Sequence, residues 1–428
     1  MNNVDKESFI KSLPKVKLIL GNGFDLRCGL YTKYSDFYCK YWKKFHYIKN
    51  LVKTFINSDI DFDSSNESLE DVNVWDVFFA INSYENPKDN MYRWCDIEFM
   101  IKDSLADTGT DFSTEDFFKY LFNRKSEINW PMVKRIVEHK SEKEHDSQGY
   151  MANFVEYKMK QSKLGTNRFY SFLLNQLKEF EKEFGDFIYW QLHYGRHEEI
   201  HFGVINLNTL YIEKAKYTLD CLCNLETTTI DTFNFSFIED EIIMPKINYI
   251  NGSFKEPIFG VDSYFEPTDE RYIFTKTSRR MESDMNNIGY LSADDFENVV
   301  IFGHSLNEAD YSYFFPIFDK LNLLNLTSKG VVVFAYCIWD EEKENLIKSN
   351  LRDNISNMVY RYAIEKGIPN PKRTLDSLSV QKKIVVYEIP EFTDKLKYSK
   401  CRLDADWQRI YDEIKQFNEV HNEKTSNN

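Results

Sequence analysis

Short apolar runs that end in polar turns recur along this chain, and the first of them is the most informative. Residues 16–20 form an apolar run that leads directly into the turn Gly21-Asn22-Gly23-Phe24-Asp25. A short apolar run bounded by glycine is typical of a buried central strand. The glycines allow backbone N–H groups to approach a phosphate or ribose. The pattern therefore predicts chemistry at the carboxyl end of this strand.

Helical spacing of apolar residues dominates the next part of the chain. Aromatic side chains recur at this spacing over residues 32–56, which predicts a long helix whose aromatic stripe belongs to the core. Residues 57–73 are polar and predict a loop. From residue 75 to about residue 225 most segments have i, i+3, i+4 apolar spacing, interrupted by the polar run 139–149. This pattern predicts a helical insertion.

Strand patterns return after this region and alternate with helical ones. We predict strands at 229–234, 247–251, 258–261, 299–302, 331–336 and 384–387, and helices at 307–323, 340–356 and 404–420. Apolar strands separated by helices are typical of a buried parallel sheet. The expected fold is therefore α/β, a Rossmann-like and mainly parallel sheet flanked by helices, with a large helical insertion. Residues 1–57 and 226–428 would form the Rossmann-like domain, and residues 58–225 the insertion.

Composition narrows the class of protein. A chain of 428 residues can form one large domain with an insertion. The net charge of −14 argues against a nucleic-acid partner, since phosphate neutralisation needs clustered Lys and Arg. The seven cysteines form no C-x-x-C pair, which favours reduced thiols. The chain shows no signal peptide and no apolar stretch of about 18 residues, so we expect a cytoplasmic protein without membrane contact.

Four polar clusters each follow a predicted strand. Because the carboxyl ends of parallel strands meet at one rim of the sheet, we expect the four clusters to lie close together. Amide and hydroxyl groups bind sugar hydroxyls as both donors and acceptors, so the clusters predict a ribose-and-phosphate site. The clusters are Gly21 to Asp25, Asn234 with Ser236, Asn251-Gly252-Ser253, and Gly303-His304-Ser305 with Asp310 beyond.

Three ionisable residues each have a functional and a structural interpretation. Glu98 follows another carboxylate by two positions, about 200° apart on a helix, so only one of the two can face a ligand. Glu98 is the preferred candidate, with pairing to a basic residue as the alternative. His304 would either reach a ligand or cap the helix that follows. Lys276 would share a helix face with two arginines and bind phosphate, or belong to a solvated charged face.

Histidines at positions 193, 197 and 201 have the i, i+4 spacing of zinc ligands on a helix. Gly195 lies between them, and the H-E-x-x-H pattern of a zinc enzyme is absent. The sequence therefore predicts no metal site.

The segment from Gly21 to Phe37, G-N-G-F-D-L-x-x-G-L-x-T-x-Y-x-x-F, resembles the opening signature of the AbiH-type bacterial abortive-infection family. Further matching pieces follow in the family's order, W-x-D-x-E at 94–98, F-N-F-S at 233–236, F-T-K at 274–276 and G-H-S-L at 303–306. The resemblance implies an antiphage effector. Its partners would include a phage-derived trigger, a second defence protein or another copy of the chain.

More remotely, the order of the loops is similar to that of sirtuin-like NAD-binding domains. That resemblance implies NAD as ligand, with Gly21 and Gly23 against its phosphates, Asn234 against the nicotinamide-side ribose and Ser305 against the other ribose. Asn251 stands where the resembled turn carries histidine. Asparagine takes no proton near neutral pH, so another group would have to assist the attacking water, with Asp25, Glu98 and His304 as candidates.

Two functions follow as hypotheses. In the first, the chain is an antiphage effector that binds and hydrolyses a nucleotide, with NAD as the first candidate and no resident cofactor. In the alternative, it is a non-catalytic nucleotide-sensing or partner-binding module of a defence system. The first hypothesis assigns catalysis to Asp25, Glu98, Asn234 and His304, and nucleotide binding to Gly21, Asn22, Gly23, Asn251, Gly252, Ser253, Lys276, Gly303, Ser305 and Asp310.

Overall fold

The computed structural model describes residues 3–30, 32–34, 37, 73–76, 98, 101–102, 105, 169–193, 207–236, 247–261, 265–282, 295–325 and 327–392. Most of the predicted helix 32–56, nearly all of the loop 57–73, the polar run 139–149 and the helix 404–420 lie outside these residues. The proposed boundaries of the insertion stay predictions.

A six-stranded parallel sheet forms the centre of the protein and confirms the predicted α/β class. Its strands are β1 (Val16–Leu20), β2 (Thr228–Thr232), β3 (Ile247–Tyr249), β6 (Asn298–Phe302), β7 (Val332–Tyr336) and β8 (Ile384–Glu388), and a separate hairpin pairs β4 (Gly252–Ser253) with β5 (Glu256–Pro257). The order in the sheet is β3-β2-β1-β6-β7-β8, and every pairing within it is parallel. The direction of chain progression therefore reverses between β1 and β6.

The described helices are α1 (Asn3–Lys11), α2 (Asn22–Cys28), α3 (Phe169–His193), α4 (Leu207–Leu222), α5 (Lys276–Glu282), α6 (Tyr311–Lys320), α7 (Glu344–Glu365) and α8 (Thr374–Val380). The predicted helix 340–356 begins later and extends further as α7, because Asp340 caps a separate 3-10 turn before it. Helix α8 was not predicted. Among these helices, none combines the length and the hydropathy needed to cross a bilayer.

The sheet separates two hydrophobic cores, as the alternation of side chains along a strand requires. In β1, Leu18 and Leu20 face a core that includes helices α3 and α4, whereas Ile19 faces the core under α6 and α7. Tyr34 and Phe37, from the predicted aromatic stripe, are buried in the first core and pack against α3. The interpretation of these two aromatic residues as core is confirmed.

A buried ion pair joins two neighbouring strands on the face of the sheet that α6 and α7 cover. The Nζ atom of Lys17 in β1 lies 2.7 Å from Oδ2 of Asp231 in β2, and both side chains are fully buried. Asn248 Nδ2 donates to Asp231 Oδ1 at 2.7 Å, and the hydroxyl of Tyr313 on α6 donates to Asp231 Oδ2. The carboxylate thus links the three strands β1, β2 and β3 to the helix above them.

The predicted strand at 258–261 is wrong. Its backbone donors bond to partners other than a strand, since Ile258 N–H donates to Asn251 O at 2.7 Å and Phe259 N–H donates to Glu181 Oε1 at 2.6 Å. Val261 makes a single isolated bridge. The apolar run is instead buried as an irregular segment next to α3, because a helix carboxylate supplies the acceptor that a neighbouring strand would have supplied.

Candidate functional site

The turns after β1 and β6 pack against each other backbone to backbone. Gly21 N–H donates to Phe302 O at 2.9 Å, and Gly23 N–H donates to Gly303 O at 2.8 Å. A Cβ atom at Gly21 would lie 2.5 Å from the Cα of His304, and one at Gly23 would lie 2.7 Å from the Cα of Gly303. Gly303 also has φ +72°. This crowding explains glycine at all three positions, and it places two predicted loops in direct contact.

A third predicted loop joins this junction through Asn234. Its side-chain Nδ2 donates to Gly21 O at 3.1 Å, and its backbone N–H donates to Thr232 Oγ1 at 3.0 Å. Asn22 accepts a hydrogen bond from the Thr32 hydroxyl. The loops after β1, β2 and β6 therefore form one hydrogen-bonded unit at the carboxyl rim.

Asp25 lies beneath this unit and is completely buried. The hydroxyl of Ser236 donates to its Oδ2, and the Tyr211 hydroxyl lies 3.5 Å from its Oδ1. Burial raises the pKa of Asp25 to about 7, although the hydrogen bonds from Ser236 and Tyr211 oppose the shift. Ser236 belongs to the quoted F-N-F-S motif, whereas no sequence signal pointed to Tyr211 on α4.

The raised pKa of Asp25 predicts a pH dependence of stability. The pKa of an unfolded Asp is about 3.9, whereas the pKa of Asp25 in the folded protein is about 7. Between these values the folded state retains a proton that the unfolded state has released, so the free energy of unfolding falls as the pH rises. The stability of Asp25→Asn, measured by thermal denaturation, should fall less steeply with rising pH than that of wild type across this range. The stability of the exposed control Asp353→Asn should fall as steeply as that of wild type. Parallel slopes for Asp25→Asn and wild type would contradict the assignment.

Four ionisable residues from distant parts of the chain form a second network at the same rim. Lys276 Nζ lies 2.9 Å from Glu98 Oε2 and 2.7 Å from Asp310 Oδ1. Asp310 Oδ2 lies 3.4 Å from His304 Nε2. The side chains of the four residues are at most 13% exposed. The structure thus brings together four of the predicted site residues in one continuous network of polar side chains.

Burial and neighbouring charges shift the pKa values of the two carboxyl groups of this network in opposite directions. Burial raises the pKa of Glu98 to about 7, against the attraction of Lys276 and with the help of the Asp310 charge. For Asp310, burial would raise the pKa, but Lys276 and His304 hold it well below its usual range. Burial by itself would lower the pKa of Lys276, but the carboxylates of Asp310 and Glu98 raise it above its usual value. Asp310 is therefore the permanent anion, whereas Glu98 can exchange a proton near neutral pH.

His304 has a defined orientation and tautomer. Its Nδ1 accepts the backbone N–H of Leu306 at 2.9 Å, so the ring proton lies on Nε2, facing Asp310. The ring packs edge-on against Phe233 and Phe314, with centroid distances of 4.5 and 5.0 Å. The ring therefore anchors the turn before α6 without capping that helix, and its contact with a ligand stays a prediction.

The remaining predicted residues are held by other partners. Asn251 is buried, and its Oδ1 lies 3.4 Å from Nη2 of Arg280. Gly252, with φ +79°, and Ser253, whose Oγ accepts a backbone N–H, form the β4 strand of the small hairpin. Ser305 is exposed, and its carbonyl accepts a hydrogen bond from Asn354 on α7. Asn251, Gly252 and Ser253 are thus anchored by the hairpin and α5.

Neither arginine of α5 belongs to a solvated face. Arg279 is buried and forms an ion pair with Glu181 on α3, at 2.6 Å between Nη2 and Oε2. Arg280 Nε donates to Ile250 O at 2.7 Å. Lys276 is likewise buried in the charge network. The alternative of a solvated charged face is therefore wrong for α5, and sequence reasoning missed Glu181.

In the part of the chain that the structure describes, no three His, Cys, Asp or Glu residues form a metal-binding group. His197 and His201 lie outside that part. Cys221 and Cys223 are buried free thiols, and burial raises their pKa to about 11 and about 12, respectively. They are therefore protonated at neutral pH, which is unfavourable for metal ligation.

Comparison with known proteins identifies the family. The family model described as bacteriophage abortive infection AbiH matches residues 18–330, a range that includes every residue predicted for the site. Searches of curated proteins and of solved structures found no match. The predicted sirtuin-like resemblance thus receives no support from these comparisons. Because the matched region covers well over half of the chain, this protein belongs to the AbiH family of bacteriophage abortive-infection proteins.

Proposed function

We propose that this chain is an antiphage effector that binds a nucleotide outside the carboxyl ends of β1 and β6, with NAD as the first candidate. One observation carries the proposal. The strand order reverses between β1 and β6, and the glycine junction, Asn234 and the Glu98-Lys276-Asp310-His304 network all stand at that point. In open α/β sheets, ligands bind in the crevice where the order reverses.

The charge network supports hydrolysis of an N-glycosidic bond. In the proposed reaction, the oxygen of a water molecule bonds to the anomeric carbon of the ribose as the bond to the nicotinamide nitrogen breaks. The bonding electrons leave with nicotinamide, and the water proton passes to the Glu98 carboxylate. An anionic Glu98 would also stabilise the positive charge that develops on the ribose. Asp25 is fully buried, so its part would be to support the glycine turn.

Release of nicotinamide from NAD by the purified full-length chain tests the proposal. We expect wild type to release nicotinamide and Glu98→Gln to be at least about a hundredfold slower, because it cannot accept the proton. Glu365→Gln, the same change at an exposed carboxylate at the end of α7, should retain full activity. Asn234→Ala removes the bond to Gly21 O and should weaken NAD binding. If wild type neither binds nor cleaves NAD or another nucleotide, the proposal is wrong.

One alternative is a nucleotide sensor without catalysis. It is favoured because the polar groups of the network already bind one another. Both ring nitrogens of His304 already have partners, and Lys276 is bound by two carboxylates. Such a network can be a purely structural support. Thermal denaturation with NAD, ADP-ribose and nucleoside triphosphates separates the two functions, because a ligand that binds only the folded state raises the melting temperature. A raised melting temperature without product favours the sensor.

A further inference from the structure

An exposed tryptophan follows β7, the strand that pairs with β6 in the sheet. β7 ends at Tyr336, and Trp339 follows three residues later with 69% of its surface exposed. The next most exposed aromatic residues among the described large hydrophobics, Tyr189 and Tyr360, are 39% and 37% exposed. A large apolar ring in water is unfavourable, and the charged turn around it offers no core to bury it.

The turn that carries Trp339 makes local contacts through Asp340 and Lys343. Asp340 Oδ1 accepts the backbone N–H of Glu342 at 3.1 Å, and Asp340 Oδ2 pairs with Lys343 Nζ at 2.8 Å. The same Nζ lies 5.3 Å from the centroid of the Trp339 ring. The lysine therefore covers one face of the indole, and the aspartate fixes the lysine. Such a ring is preorganised to stack a planar group on its other face.

The position of this turn relates it to the glycine junction. Phe302 of β6 and Ala335 of β7 are register partners, so the loops of Ser305 and Trp339 leave the same rim from neighbouring strands. Adjacent strands are about 4.8 Å apart. The crevice between β1 and β6 therefore lies within the reach of a dinucleotide whose far end is at β7.

Helix α7 closes the rim on the same side. Asn354, ten residues into α7, donates to Ser305 O at 2.9 Å. At about 1.5 Å per residue, the beginning of the helix lies about 15 Å from that contact. The buried residues of α7 begin only at Ile355, so its first turns extend beyond the sheet core.

We propose that Trp339 is the stacking platform for the base of the bound nucleotide. This inference rests on the proposed function and specifies its ligand class, a nucleotide whose aromatic base lies at β7 and whose phosphates lie towards the β1–β6 crevice. The charges agree with this orientation. Asp340, Glu341 and Glu342 follow Trp339 directly in the sequence, and such a run of carboxylates repels phosphate but accepts a neutral base.

Calorimetric titration with ADP-ribose and with ribose 5-phosphate tests the platform, since only the first carries a base. Trp339→Ala should bind ADP-ribose about tenfold more weakly than wild type, and Trp339→Phe should retain most of the affinity. Ribose 5-phosphate should bind all three proteins equally. Tyr360→Ala, at an exposed aromatic position further along α7, should bind as wild type does.

The outcomes separate this inference from the proposed function. If wild type and Trp339→Ala bind ADP-ribose equally, the platform is wrong and nucleotide binding stands. If Trp339→Ala weakens the binding of ribose 5-phosphate as much as the binding of ADP-ribose, the platform is again wrong, because the loss of affinity does not depend on the base. If wild type binds neither compound, the platform is wrong, and thermal denaturation with NAD and nucleoside triphosphates decides nucleotide binding separately. An unchanged melting temperature for Trp339→Ala is expected, since the ring is exposed.

Discussion

Lys276→Met should lower the free energy of unfolding by about 3–5 kcal/mol, the cost of leaving buried charge without its counter-ion. The lysine lies 2.9 Å from Glu98 and 2.7 Å from Asp310, and all three side chains are largely buried. Methionine fills the space but supplies neither charge nor hydrogen bonds. Urea denaturation measures the loss as a lower midpoint at an unchanged slope.

The pH dependence of this loss has a defined sign. Without the lysine, the pKa of Glu98 rises further and the pKa of Asp310 is no longer held as low, so the folded variant binds protons that the unfolded chain has released. Its stability relative to wild type should therefore recover as the pH falls from about 7.5 to about 5.5. Lys348→Met, which breaks an exposed pair with Glu344, should cause only a small loss of stability, because solvent screens that pair. A loss that small for Lys276→Met would contradict the interpretation.

Lys17→Met should produce a loss of similar size, about 3–5 kcal/mol, in the centre of the sheet. Lys17 and Asp231 are both fully buried and 2.7 Å apart. After the substitution, Asp231 keeps its bonds from Asn248 and Tyr313 but carries a charge that no cation balances. Denaturant unfolding monitored by circular dichroism measures the change.

A double variant distinguishes unpaired charge from lost packing in this case. Lys17→Met combined with Asp231→Asn removes both charges, while the amide can still bond to Tyr313, so most of the lost stability should return. Lys15→Met affects a neighbouring lysine whose partners, Asp295 and Glu297, are exposed, and it should leave the denaturation midpoint close to that of wild type. If the double variant is no more stable than Lys17→Met, the loss comes from packing.

Local patterns were sufficient to predict the fold class and the position of the loops. Six of the seven predicted strands belong to the sheet, because a short apolar run bounded by turn residues has few other ways to satisfy its backbone and bury its side chains. The segment 258–261 has the same local pattern, but a carboxylate of α3 accepts its N–H, and that partner lies far away in the sequence. The run 16–20 was likewise treated as apolar although it contains Lys17. The buried ion pair of this lysine could not be predicted locally, because its partner Asp231 lies on another strand.

By itself, the sequence determined the class of fold, the family and which loops lie at the carboxyl rim, because these depend on residue order and on the geometry of parallel strands. Only the tertiary structure decided which charges pair there. It placed Glu98 against Lys276, gave His304 its tautomer and buried Asp25 under Ser236 and Tyr211. The physical reason is that a charge or a proton is positioned by its neighbours in space and by its separation from water, and neither is encoded in local spacing.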